Sequence, residues 1–293
     1  MIEGARKTGR LRLGAERNSL SSRQTNWEDD VVSGFESVRS LQRGLDILQC
    51  VNQKNGLKAG EIARQTGIPR PTVYRLLETL EGMNFLLRDH SSDKWRPTLY
   101  TKSLSSGFRD EDWVCREAVP EMMRLGREIL WPLDLVTFKD YRMEIRESTH
   151  NISPYSVDHG MVGLKLPVLD TAGGRAYLAF SPEDECEHTI AGLRAEFGLD
   201  TPIYLNDGPL EYILNECRRL GLGYRQKGYR EATMSLSAPI FRGDRIMACM
   251  TMIWIGSALP FNKAVELHAD KLTASARTIS SRLDEQSDAA DDS

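Results

Sequence analysis

Arg70, Thr72, Tyr74 and Arg75 fall within one short run, GIPRPTVYRLLETLEG, and Arg88, Lys94 and Arg96 follow a little further on. The chemistry these groups offer is recognition. A guanidinium can bond both acceptors on the edge of guanine, hydroxyls reach bases or phosphates, and basic side chains neutralise a phosphate backbone. Bond-making chemistry has no comparable signal: the patterns G-x-S-x-G, H-E-x-x-H and G-x-x-x-x-G-K-[ST] are all absent. Cys186 and His188 stand two apart with no second ligand pair nearby, so neither a metal nor a cofactor is implied.

Those residues need elements to position them. Val73, Leu76, Leu77 and Leu80 recur at i, i+3, i+4 and i+7, which predicts a helix with these four inward and Arg75 outward. Pro69 and Pro71 fit before or within its first turn, where the N–H has no helical partner, and Gly67 suits the end of a preceding helix. The pair reads as a helix-turn-helix, whose second helix offers its first residues to a DNA major groove. Two amphipathic helices around a glycine turn also occur in helical domains of other kinds. Beyond them, Leu86 to Arg88 and Lys94 to Pro97 read as strands around the polar tip 89–93. The hairpin is either a wing whose Arg88, Lys94 and Arg96 meet phosphates, or an ordinary solvated one. A third helix is expected from near Ser37, with Leu41, Leu45, Ile47 and Leu48 facing the core, ending before the Asn55-Gly56 turn.

A chain of 293 residues suggests about two domains. The net charge of −4 argues against a polyanionic partner until it is divided. Residues 35–103 hold 11 Lys and Arg against 7 Asp and Glu, whereas everything from Leu104 on carries −9. The positive balance therefore sits on the candidate reader. Five scattered cysteines without a C-x-x-C pair read as thiols. No apolar run is long enough to span a bilayer, and the basic start lacks the apolar stretch of a secretory signal, so a cytoplasmic protein without membrane contact is expected. Residues 1–34, rich in Arg, Ser, Gly and Asn, read as a flexible arm.

From Leu104 the pattern changes. Trp113, Val119, Met122, Met123, Leu125, Ile129 and Leu130 predict a joining helix over roughly 112–130, starting or kinking near Pro120, within a joining segment of 104–131. Its Met and aromatic residues suit either a dimer contact or packing on its own domain. Residues 132–284 alternate strand-like runs (DLVTFK, RMEIRE, SAPIF, RIMACMTMIW) with helical ones (TAGGRAYLAF, the stretch after Pro182, LEYILNECRRL). That order predicts an α+β sensory domain with an antiparallel sheet. A last helix over about 262–283 precedes an acidic tail, 285–293, expected to be disordered.

Three segments, GEIARQTGIPRPTVYRLLETLEGMNFL, GLKLPVLDTAGGRAYLAFSPEDE and GYREATMSLSAPIFRGDRIMACMTMIW, together resemble the IclR family of bacterial transcription regulators. The runs VRSLQRGLDIL, LSSGFRDEDWV, EILWPLDLVTF and RESTH resemble its MhpR type, activators of aromatic-acid catabolism genes. The resemblance implies an N-terminal winged helix-turn-helix, a joining helix and a GAF-like effector domain. It implies an effector pocket at Leu166, Ala172 and Gly173, faced by Met234, Leu236, Thr251 and Ile253, with Tyr155 and Asp158 on the preceding loop. Physics agrees with such a use, since small residues let backbone amides at a helix start approach an anion, and apolar ones hold a ring. Gly173 and Gly174 equally suit close helix–sheet packing. Arg146 and His150 are candidate contacts to a carboxylate or phenol, and would also suit a surface strand. Ala59 and Gly60 stand where a Ser or Thr cap usually opens the first helix of the motif.

The expected partners are double-stranded DNA, a small aromatic or other organic acid, a second copy or more of the same chain, and RNA polymerase. Two other readings are a constitutive DNA-bound protein without an effector, and a small-molecule enzyme with a helical appendage.

Overall fold

The reader half is built on three helices, α1 (Arg39–Lys54), α2 (Ala59–Thr66) and α3 (Arg70–Gly82), and an antiparallel hairpin of β1 (Leu86–Asp89) and β2 (Lys94–Pro97). A computed structural model describes residues 37–291 except 157, 160, 199–201 and 203–204, with side chains as far as Glu285. The expected arm, residues 1–34, lies outside the described residues.

Ile47, Val51, Ile62, Val73, Leu77, Leu86 and Trp95 form the reader's core. Leu76 and Leu80 are half-buried beside it. Leu41 and Leu45 are not in it: they are 61% and 56% exposed, because α1 meets the motif only through the side that carries Ile47, Leu48 and Val51. Gly67 ends α2 at φ 68°, the left-handed conformation that glycine adopts without a Cβ penalty. The start of α2 lacks a Ser or Thr cap, but the Glu61 carboxylate accepts the Lys58 N–H at 2.8 Å, half of a capping box. Leu57 and Trp95 exchange both backbone hydrogen bonds, Leu57 N–H to Trp95 O at 3.1 Å and Trp95 N–H to Leu57 O at 2.8 Å. Arg96 adds a bond to the Asn55 carbonyl at 2.9 Å. The hairpin is thereby stitched to the α1–α2 connection.

A short 3₁₀ segment (Leu99–Ser105) leads to the joining helix, helical from residue 112 through α4 (Val119–Ile129). Just before Pro120 it widens into a π turn, Val114–Ala118. A proline cannot donate to the ladder, and a π bulge accommodates the lost bond. Trp113, Met122 and Leu125 pack into this helix's own domain rather than onto a free surface.

The second half holds a six-stranded antiparallel sheet in the order β5-β4-β3-β8-β7-β6. Its strands are β3 (Leu133–Lys139), β4 (Arg142–Ser148), β5 (Lys165–Pro167), β6 (Gly223–Arg225), β7 (Thr233–Arg242) and β8 (Arg245–Ile255). Among the described residues four helices accompany it: α5 (Ala172–Phe180), α6 (Glu183–Phe197), α7 (Asp207–Leu220) and α8 (Phe261–Asp291). Because strand side chains alternate faces, the sheet serves two layers. Leu133, Leu135, Leu236, Ala238, Met250, Met252 and Trp254 face α4 and α8. Val136, Met143, Ile145 and Cys249 face the layer of α5, α6 and α7. Backbone helix continues in α8 through residue 291, past the tail's expected start at 285, and Gln286 and the alanines there are good helix formers. No described helix is long and apolar enough to cross a membrane.

Candidate functional site

On the reader, α3 carries Arg70 and Arg75 exposed, with Thr72 and Tyr74 half-buried. Arg70 donates to the Tyr74 hydroxyl at 3.4 Å and lies 5.7 Å from its ring centre, so the two form one cationic, flat-faced unit. Arg75 has no ion pair among the described residues. The wing is more self-contained. Arg88 pairs with Asp93 at 2.7 Å and lies over Trp95, while Arg96 pairs with Asp89 at 3.5 Å. The Ser91 and Ser92 hydroxyls hold the Asp89 carboxyl well below the usual range, so this acid stays charged beside the basic residues. Lys94 is the wing cation without such a partner among the described residues. A shallow concavity joins α2, α3 and the wing, lined by Lys58, Gly60, Arg64, Arg70, Tyr74 and Asp93. Lys58 and Arg64 escaped the sequence reading because they lie on the motif's first helix and its approach.

The second candidate is a cavity between the sheet and α5, about 540 Å³ of non-atom space including its mouth. Of the residues singled out from sequence, Asp158, Leu166, Ala172, Gly173, Thr251, Ile253 and His150 line it. Met234 and Leu236 do not. They face the α8 layer, and Thr233 and Ser235 occupy the cavity side, because neighbouring strand positions point to opposite faces. The register agrees: Ser235 pairs with Ile253 and Ser237 with Thr251. Tyr155 also lies elsewhere, half-exposed, with its ring 4.9 Å from that of Trp131. Arg146 is held by Asp110 and Glu111.

Local structure shapes the cavity wall. Thr171 caps α5, its hydroxyl accepting the Gly174 N–H at 3.2 Å. A Cβ on Gly174 would lie 1.9 Å from the Val168 carbonyl oxygen, so only glycine lets the helix start sit this close to that backbone. At Gly173 it would lie 2.5 Å from a Val136 methyl and 3.3 Å from the Thr251 hydroxyl. Gly173 therefore keeps the cavity floor open above β3 and β8.

The polar lining came mostly from residues with no sequence signal. Arg225 is 4% exposed and donates to the carbonyls of Arg230 and Thr233 at 3.0 and 2.8 Å, and to the Thr233 hydroxyl at 2.8 Å. Burial first, then the neighbouring Arg175 and Arg230, push its pKa down to about 10. It remains cationic at neutral pH, with no carboxylate in ion-pair contact among the described residues. Arg230 pairs with Asp158, which also takes Lys54 of α1 at 3.3 Å. The His159 N–H donates to the Gln53 carbonyl at 3.2 Å, so one wall of the cavity is tied to the end of α1.

A winged helix with an outward basic face, joined to a sheet domain with a cavity that mixes apolar walls and buried charged groups, defines a DNA-binding regulator with a sensory domain. Comparison with known proteins gives the family. A model described as the IclR helix-turn-helix domain matches residues 40–90, and one described as the bacterial transcriptional regulator IclR C-terminal matches residues 114–281. The chain belongs to the IclR family of transcription regulators, whose members here are regulators and not enzymes. The HTH-type transcriptional regulator KdgR of Escherichia coli is 22% identical over 85% of this chain and 94% of its own length. The transcriptional repressor IclR of the same organism is 25% identical over 71% of this chain and 76% of its own length. Among solved structures, the IclR of Thermotoga maritima superposes with a TM-score of 0.55 at 20% identity, covering 85% of this chain and all (100%) of that one. An IclR homologue from Microbacterium hydrocarbonoxydans, complexed with 4-hydroxybenzoate, gives 0.52 at 18% identity over 83% of this chain and 98% of that one.

Proposed function

We propose that this regulator binds operator DNA through α3 and the wing, and that a small organic anion, an aromatic carboxylate, enters the cavity under α5 and alters that binding to control catabolic genes. The observation that carries the ligand's charge is Arg225. A buried guanidinium with no carboxylate in ion-pair contact among the described residues, only Asp170 acting on it from further off, is costly, and an anion in the cavity gives it a direct partner. The start of α5 adds backbone amides, and Val136, Met161, Leu166 and Ile253 give a ring its apolar walls. The 4-hydroxybenzoate complex of the Microbacterium homologue is in keeping with an aromatic acid in this fold. On the DNA side, Arg75 reads a base edge, Arg70, Thr72 and Tyr74 contact bases or phosphates, and Lys94 with Arg88 and Arg96 meets the backbone. Lys58 and Arg64 extend that basic track. A cytoplasmic homodimer or higher assembly is the working form, since a single reader of this size gives little affinity, and RNA polymerase is the further contact through which such a protein acts.

Fluorescence anisotropy on DNA flanking the gene, over a salt series, tests both halves. Arg75→Ala is expected to weaken specific binding by about 1–3 kcal/mol. A carboxylic acid from an aromatic panel should shift binding of the wild type, and Arg225→Met should abolish that shift while retaining DNA affinity. Binding indifferent to sequence and to Arg75 would sink the reader assignment; a panel without effect would sink the effector.

A further inference from the structure

Asp134 is 4% exposed, lines the cavity, and has a carboxyl oxygen, Oδ1, with no hydrogen-bond partner among the described residues. Buried polar atoms are seldom left unpaired, because the loss of water is then uncompensated. The nearest recorded polar group is His150 Nε2, at 3.6 Å, beyond hydrogen-bond range. His150 is itself 4% exposed and also lines the cavity. Its other ring nitrogen lies 2.5 Å from the Ser156 hydroxyl oxygen. The Ser156 hydroxyl also lies 2.9 Å from the Asp158 carbonyl. With its proton on that carbonyl, Nδ1 is the donor and Nε2 a lone pair; with its proton on Nδ1, Nε2 carries the hydrogen. In either arrangement Asp134 Oδ1 is a buried acceptor with no donor in hydrogen-bond range among the described residues.

Across the sheet the polarity reverses. Asp134 is on β3 and Arg225 on β6, three strand spacings away, or about 14 Å between backbones. Both residues line the same cavity, from opposite sides of its sheet wall.

We infer that the cavity reads a two-ended ligand, an acid whose carboxylate meets Arg225 and whose far end carries a hydrogen-bond donor, a hydroxyl, between Asp134 and His150. This rests on the effector reading above and deepens it from an aromatic acid to a donor-bearing one. The hydroxyl gives its proton to Asp134 Oδ1, beside His150. A plain acid leaves that acceptor buried and unpaired, and a methyl ether brings a second acceptor to it. Sites built to bond a hydroxyl reject analogues lacking it strongly.

Calorimetric titration of the full chain with benzoate, 3- and 4-hydroxybenzoate, 4-aminobenzoate and 4-methoxybenzoate tests the inference. One of the donor-bearing acids should bind at least about tenfold more tightly than both benzoate and the methyl ether. In Asp134→Leu, which keeps the volume and removes the acceptor, that ratio should fall toward one. In Asp134→Asn, which keeps an acceptor oxygen, much of it should survive. If Asp134→Leu fails to fold, the wild-type ratio and the Asn variant decide. Benzoate and methoxybenzoate binding as tightly as the donors would overturn the inference while leaving the effector reading intact, as would a ratio that survives Asp134→Leu. No binding by any acid would overturn both.

Discussion

Two adjacent glycines at the start of α5 should fail in different ways when each is replaced by alanine. At position 174 the new Cβ would lie 1.9 Å from the Val168 carbonyl oxygen and 2.5 Å from its carbon. A carbon normally stays about 3.3 Å or more from such an oxygen, so main chain must move by more than about 1 Å. Overpacking of this kind costs about 3 kcal/mol at the upper end of the usual range, and alanine's helix preference returns about 1. The net loss of about 2 kcal/mol corresponds to a fall in Tm of about 4–8 °C for a domain of this size. At position 173 the closest atom is a Val136 methyl, the end of a side chain rather than backbone. Val136 is buried and stiff at χ1, so the crowding costs about 1–3 kcal/mol, of which helix preference returns about 1, leaving a loss no larger than at position 174. The added methyl instead fills cavity floor between Val136 and Thr251, and an acid that binds the wild type should lose tenfold or more in affinity. Scanning calorimetry and titration on both variants separate the two outcomes. A Gly174→Ala protein as stable as the wild type, or a Gly173→Ala protein that binds as tightly, would refute the reasoning.

In the reader, Leu77→Ala should cost about 3 kcal/mol in urea unfolding of that half and take specific DNA binding with it, because Leu77 is fully buried (0% exposed) beneath α3. Glu121 is buried between α4 and α8; burial alone would raise its pKa, but Arg124 and Ser275 outweigh this and hold it lower than usual. Its stabilisation is therefore complete above the unfolded carboxylate pKa of about 4.3 and is lost as pH falls through the lower folded value. Thermal melts of Glu121→Gln from pH 6 down to 3 should show a shallower acid limb than the wild type. Native-state labelling with a thiol reagent should modify the exposed Cys115 first, and Cys186, Cys217 and Cys249 only after unfolding, since burial raises all three thiol pKa values, that of Cys217 to about 11.

The parts of this fold that the sequence disclosed were those with a one-sided pattern. Val73, Leu77 and Gly67 specify α2 and α3 because one face of α3 is buried and the other wet. The runs DLVTFK and RIMACMTMIW are β-rich enough to be strands wherever they pack. The cavity was harder, because its sheet is covered on both faces and hydrophobicity no longer marks the inside. Met234 and Leu236 look like pocket walls, but the most apolar face of β7 belongs to α8, and the cavity takes the smaller, hydroxyl-bearing Thr233 and Ser235. Leu41 and Leu45 have the spacing of a core stripe, yet the motif is too small to cover all of α1. The three-residue strands β5 and β6 are too short for any period to register. Arg225 and Asp134 were illegible for a different reason: a buried charge is defined by what surrounds it, which only the assembled sheet and α5 provide.

The paired backbone bonds between Leu57 and Trp95 bear on the kinetics of DNA encounter. A wing held to the motif by main chain has already given up its conformational freedom, so arrival at a groove requires no local folding. Association should then be set by diffusion and by attraction between the basic track and phosphates, with a rate that falls as salt rises and a modest heat-capacity change on binding. Discrimination among sequences would reside in how long the complex lasts rather than in how fast it forms.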